Sequence, residues 1–98
     1  MMLVRQVLQA KYGRGDELVS LFREFHSDAA VPNRESARIL TDATGKFFTV
    51  VTEYEVESFA AWEAAFKQLM GAPEMGAWFG RMMEVTESGS REFYNIVS

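Results

Sequence analysis

The run KFFTVVTEYEVE (residues 46–57) is β-branched or aromatic at most positions and passes directly into SFAAWEAAF (58–66). These propensities specify a strand followed at once by a helix. Alternation puts Phe48, Val50, Thr52, Tyr54 and Val56 on one face of the strand, and Phe47, Thr49, Val51, Glu53 and Glu55 on the other. Both sets open with apolar residues, so over its first half the strand needs cover on both faces. Few small folds meet that demand without help from a second molecule.

The flanking sequence supplies the rest of the pattern. LVRQVLQA (3–10) predicts a first strand. KYGRGD follows, with Gly13 and Gly15 marking a turn and Asp16 placed to cap a helix. Leu18, Leu21, Phe22, Phe25 and Ala29 form the apolar stripe of that helix, which ends at a turn built on Pro32 and Asn33. SARILTD (36–42) predicts a second strand, and DATG (42–45) a hairpin turn into the third strand, 46–57. Ser58 caps a helix over 59–70. GAP (71–73) breaks it, and Pro73 suits the first position of a second piece carrying Met75, Trp78, Phe79, Met82 and Met83. ESGS (87–90) predicts a turn and REFYNIV (91–97) a last strand. The order is βαββαβ, an α+β, ferredoxin-like plan with a four-stranded antiparallel sheet and its helices on one face. The other face retains apolar residues, and a second copy of the chain is the expected cover.

Ninety-eight residues suit one domain over 1–98, and 48% hydrophobic content with 13% aromatics is ample for its core. Ten Lys and Arg stand against fourteen Asp and Glu, a net charge of −4, with the basic residues scattered. Without a basic stripe, nucleic acid and anionic membrane surfaces are not expected partners. The chain has no cysteine and one histidine, His26, so no thiolate chemistry and no His/Cys metal site is expected. The N-terminal stretch mixes Arg, Gln and Lys into its apolar residues, unlike a signal peptide, and no apolar run reaches the ~18 residues of a membrane span. A cytoplasmic location is expected.

Several side chains admit two readings. Phe59, Trp62, Phe66 and Trp78 are either core between helices and sheet or ring walls of a cleft for a flat ligand. Gln6 alternates with Val4 and Leu8, so its amide either bonds within the protein or holds a ligand oxygen. Tyr54, Tyr94 and Asn95 are strand residues able to reach a phenol or carbonyl. Arg5 and Glu53 alternate onto the side facing a second copy, as an ion pair or as a substrate-binding Arg and a carboxylate base. His26 lies near the end of the first helix, exposed and favoured by the helix dipole, or a general base.

VLQAKYGRGDELVSLFREF, FFTVVTEYEVESFAAWEAAF and SREFYNIV together resemble the dimeric α/β-barrel superfamily, which includes antibiotic-biosynthesis-monooxygenase-like and NIPSNAP-like proteins. The resemblance spans about residues 3–97 and implies two ferredoxin-like subunits packed sheet to sheet into a barrel. Its active members include cofactor-free monooxygenases of quinol-like and polyketide aromatics, haem-degrading enzymes, lactone isomerases and cyclases. Against the haem-degrading pattern, Trp62 matches the Trp early in the second helix, Gln6 stands at the first-strand Asn position, and the iron-ligating His position falls near Trp78 with no histidine in that region. The resemblance therefore implies oxygenation of a small aromatic without metal or organic cofactor. Gln6, Trp62 and Asn95 are the catalytic candidates, and Tyr54, Phe66, Trp78, Arg5 and Glu53 the substrate-binding ones. The alternative is a non-catalytic dimer that binds a small molecule or serves a structural role.

Overall fold

The computed structural model describes residues 1–27 and 33–98. Four strands and three helices follow one another as β1 Met2–Ala10, α1 Gly15–His26, β2 Arg38–Thr41, β3 Thr49–Val56, α2 Phe59–Met70, α3 Pro73–Val85 and β4 Thr86–Asn95. The expected continuation of the first helix to Ala29 and the turn at Pro32 lie outside the described residues. The strands form one antiparallel sheet in the order β2-β3-β1-β4. This is the ferredoxin-like α+β fold.

β1 lies inside the sheet, paired with β3 on one side and β4 on the other. Its register, Val4 opposite Tyr54, Gln6 opposite Thr52 and Leu8 opposite Val50, turns those six side chains toward the helices. Leu8, Val50, Leu18, Leu21, Phe22, Met75, Trp78 and Val85 make one buried cluster, and Val4, Tyr54, Val56 and Trp62 make a second. The polar pair Gln6 and Thr52 stands between the two along the strands, joined by a 3.2 Å hydrogen bond from Gln6 Nε2 to Thr52 Oγ1.

The opposite face carries Leu3, Val7, Val51 and Leu40 around a ladder of charge. Arg38 on β2 pairs with Glu53 on β3; Glu53 pairs with Arg5 on β1 at 2.9 Å; Arg5 reaches Glu92 on β4 at 3.5 Å. Glu53 is only 4% exposed, a burial that a carboxylate tolerates because two guanidinium groups hold it.

Several expected boundaries shift, each for a local physical reason. α1 starts at Gly15 with no side-chain cap, so Asp16 is a first-turn residue beside the helix dipole rather than the cap. Ser58 does cap α2, its Oγ accepting from Ala61 N at 3.1 Å. A 3-10 turn, Arg34–Ser36, shortens the second strand to Arg38–Thr41. β3 starts at Thr49 because Phe48 takes a left-handed φ of 60°, with its carbonyl accepting from Ala10 N at 3.0 Å. The largest departure is ESGS (87–90), expected as a turn: α3 passes straight into β4, and Ser88, Gly89 and Ser90 pair along β1. Gly89 lies against Leu8, where an added Cβ would sit 3.3 Å from a Leu8 methyl, and the register skips Glu87 in a bulge. Met83, placed in the apolar stripe of the last helix, is exposed, whereas Met75 and Trp78 are buried.

Leu18 has no exposed surface and sits in the larger cluster. Leu18→Ala is expected to lower the unfolding free energy by about 3 kcal/mol, read from the urea midpoint at unchanged slope.

Candidate functional site

A cleft of about 300 Å³ opens between the sheet and the three helices, at the lower end of the ~300–1,000 Å³ usual for ligand pockets. Its walls are mostly rings and apolar side chains: Phe22 and Phe25 of α1, Trp62 and Phe66 of α2, Trp78 and Phe79 of α3. Its polar lining comes from the strands, as Gln6 on β1, Tyr54 on β3, and Ser90 and Arg91 on β4. The site is built where the two core clusters part, above Gln6.

Trp62 is the hub. The helical repeat stacks Phe66 on it, with centroids 4.9 Å apart and planes at 23°. Phe93 meets its edge at 5.0 Å. Its Nε1–H donates to the Tyr54 hydroxyl at 2.7 Å in a buried contact. The Arg91 guanidinium lies over the same indole at 4.8 Å from the centroid and over Phe66 at 5.1 Å. Arg91 Nε also donates to Gln6 Oε1 at 3.2 Å, continuing the line to Thr52. Trp78 is fixed differently, donating Nε1–H to the Leu21 carbonyl at 2.9 Å and meeting Phe22 edge-on at 5.3 Å.

Burial raises the Tyr54 phenol above its ordinary value near 10, while the Trp62 N–H and the Arg91 charge pull the other way. At neutral pH Tyr54 is therefore a hydrogen-bond donor and not a base. His26 does not line the cleft. It is half-buried against Phe22 and Phe25, and burial lowers its value below 6.5, whereas an exposed imidazole on the helix dipole would have shifted the other way. Among the described residues no group of three His, Cys, Asp or Glu could hold a metal ion.

The structure thus brings together Gln6, Tyr54, Trp62, Phe66 and Trp78. It does not bring Asn95, Arg5 or Glu53 to the same place. Asn95 is exposed at the end of β4 and does not line the cleft. Arg5 and Glu53 pair on the far face of the sheet, because odd-numbered β1 residues point away from the helices, so neither reaches a ligand in the cleft. Tyr94 shares that far face, and Phe59 is half-exposed, packed on Phe93 at 4.9 Å outside the cleft. Arg91 is the residue that sequence reasoning missed. Its signal was parity: it stands two residues before Phe93 on one strand face, so the face that buries Phe93 also points Arg91 at the helices.

No protein-family model matches the chain, and no curated protein matches it in sequence. Solved structures match its fold over nearly its whole length. An uncharacterized NIPSNAP domain protein from Burkholderia xenovorans superposes at a TM-score of 0.80 with 16% identity, over 100% of this chain and 96% of that one. A NIPSNAP family protein from Agrobacterium tumefaciens reaches 0.82 at 16% identity, over 97% and 92%. An antibiotic biosynthesis monooxygenase structure reaches 0.69 at 15% identity, over all of both chains. The chain therefore has the ferredoxin-like fold that these two groups of proteins share. At such identities the likeness is one of fold.

Tyr54→Phe removes the acceptor of a buried indole N–H, and a loss of about 1–3 kcal/mol at pH 7 is expected. The raised phenol adds a pH dependence. The unfolded chain ionises Tyr54 near pH 10 and the folded chain only above that, so wild-type stability falls as pH climbs from 10 toward the folded value. Denaturant unfolding at pH 7 and at pH 10–11 should show a smaller alkaline loss in the variant.

Proposed function

We propose that the cleft binds a small planar aromatic bearing a phenolic oxygen and that the protein acts on it as a cofactor-free monooxygenase. The observation that carries this reading is the pairing of ring walls with one buried, protonated hydroxyl: Tyr54 sits at the edge of Trp62 with its oxygen already oriented by the indole N–H. A flat ligand gains from burial against rings, and a fixed donor selects the orientation of its oxygen. In such chemistry the electron-rich aromatic anion passes one electron to dioxygen. The resulting carbon radical and superoxide combine in a C–O bond, and the hydroperoxide loses water to leave a carbonyl. Overall a ring CH2 and O2 become C=O and H2O, with the substrate as the only reductant. The protein's tasks are to hold the anion, orient the reacting carbon and keep water out.

A second reading, binding without turnover, is favoured by one observation: among the described residues no carboxylate or imidazole lines the cleft, so none of the described lining side chains is a proton acceptor near neutral pH. Calorimetric titration with hydroquinones and anthrone-type ligands, followed by an oxygen electrode, separates the two. Binding with oxygen uptake supports the monooxygenase, and Trp62→Ala should lower both by tenfold or more, about the effect of losing a stacked ring and its bond to Tyr54. Binding without uptake supports the second reading, and no binding removes both.

The open sheet face supports a homodimer. Leu3, Val7, Val51 and Leu40 keep apolar surface exposed there around the Arg38–Glu53–Arg5–Glu92 ladder. A second copy burying this face would be centred on Val7 and Val51. Sedimentation of the wild type should give twice the chain mass, and Val7→Glu, which sets an unpaired charge among these residues, should shift it toward monomer.

A further inference from the structure

The hydrogen bonds around Trp62 leave a surplus of donors inside the cleft. Tyr54 is 8% exposed, and its oxygen accepts from Trp62 Nε1, which leaves its own O–H to donate. Among the described residues no acceptor lies within hydrogen-bond distance of that hydroxyl. Arg91 uses Nε on Gln6, and its two terminal amino groups have no carboxylate or carbonyl partner among the described residues. Gln6 takes only the Nε–H of Arg91 on its carbonyl oxygen and donates its amide N–H to Thr52, so neither terminal amino group of Arg91 is bonded to it. Apart from Ser90, the remaining lining of the cleft is ring or aliphatic.

We infer that the cleft takes a planar aromatic carboxylate, with the ring among Trp62, Phe66 and Trp78 and the carboxylate on the free fork of Arg91 beside the Tyr54 hydroxyl. The buried Tyr54 hydroxyl requires an acceptor, and a group with only acceptors complements both that donor and the neighbouring Arg91 cation. The fork geometry matches two carboxylate oxygens in a way that a single phenolic oxygen does not. Arg91 is held for the task. Its Nε is anchored by Gln6 and its guanidinium carbon lies over two rings, which reduces the freedom to be lost when the anion arrives. This inference rests on the aromatic cleft proposed above and adds the ligand's charge.

The test compares 2-naphthoate with 2-naphthamide, which share a ring system and shape and differ in charge, by calorimetric titration of the wild type, Arg91→Gln, Arg91→Lys and Tyr54→Phe. Arg91 is exposed, and its replacement should leave the far-UV circular dichroism unchanged. Naphthoate should bind the wild type at least about tenfold more tightly than the amide, with the preference weakened by salt. Arg91→Gln should erase the preference, weakening naphthoate far more than the amide, and Arg91→Lys should restore only part of it. Equal binding of acid and amide, or a preference that survives Arg91→Gln, overturns the carboxylate assignment while leaving the aromatic cleft standing. A preference for ionised 2-naphthol over naphthoate also overturns it, assigning Arg91 to a phenolate. Binding of neither compound overturns both the assignment and the aromatic cleft.

Discussion

The register of β1 against β3 is the constraint on which the site depends. With Gln6 opposite Thr52, the even-numbered residues of β1 face the helices and the odd-numbered ones face away. One residue of slip would exchange Gln6 for Arg5 and send the whole apolar set Val4, Leu8 and Ala10 to the open side. The near-complete burial of Val4 and Val50, together with the ion pair of Arg5 and Glu53 on the far face, locks this choice from both sides. The β4 strand then inherits its parity from β1, which is how Arg91 comes to point at Trp62.

Within that frame the core and the candidate site are made of the same side chains. Gln6 and Thr52 interrupt the apolar run of the helix-facing sheet, dividing the core into two clusters. A polar pair at that place limits how closely α2 and α3 can pack on the strands, and the cleft lies over it. Trp62 closes one cluster and walls the cleft at once, so the contacts that fix its ring for packing also fix the Tyr54 hydroxyl and the Arg91 guanidinium. Its replacement should therefore cost stability as well as ligand affinity. The experiments that isolate function are the ones on Arg91, which is exposed and contributes little to the core.

What was legible in the sequence follows how local its cause is. The 3.6-residue stripe of α1, the Ser58 cap and the alternation of β3 each arise from residues close in sequence, and each is found. The cap at Asp16 failed because helix starts depend on where the preceding turn delivers the chain. The turn at 87–90 failed because pairing to β1 outweighed the turn propensity of Ser and Gly. Among site residues, Gln6, Tyr54, Trp62, Phe66 and Trp78 were placed by periodicity, since a residue on the helix-facing side of a strand or the apolar side of a helix must line whatever space lies between them. Asn95 failed because β4 outruns the helices at its end. Arg5 and Glu53 were legible as a far-face ion pair and illegible as anything else.

The sequence by itself determined the order of elements, the two-sided character of the third strand and the ring-rich face of the second helix, because strand and helix periodicities act over a few neighbouring residues. Only the tertiary structure decided that α3 runs into β4 without a turn, that Glu53 lies buried between Arg5 and Arg38, and that Arg91 meets Trp62 and Gln6 across 29 and 85 residues of chain. Those outcomes depend on strand register and on the division of the core. Both are set by contacts between residues far apart in sequence, whose geometry no local pattern encodes.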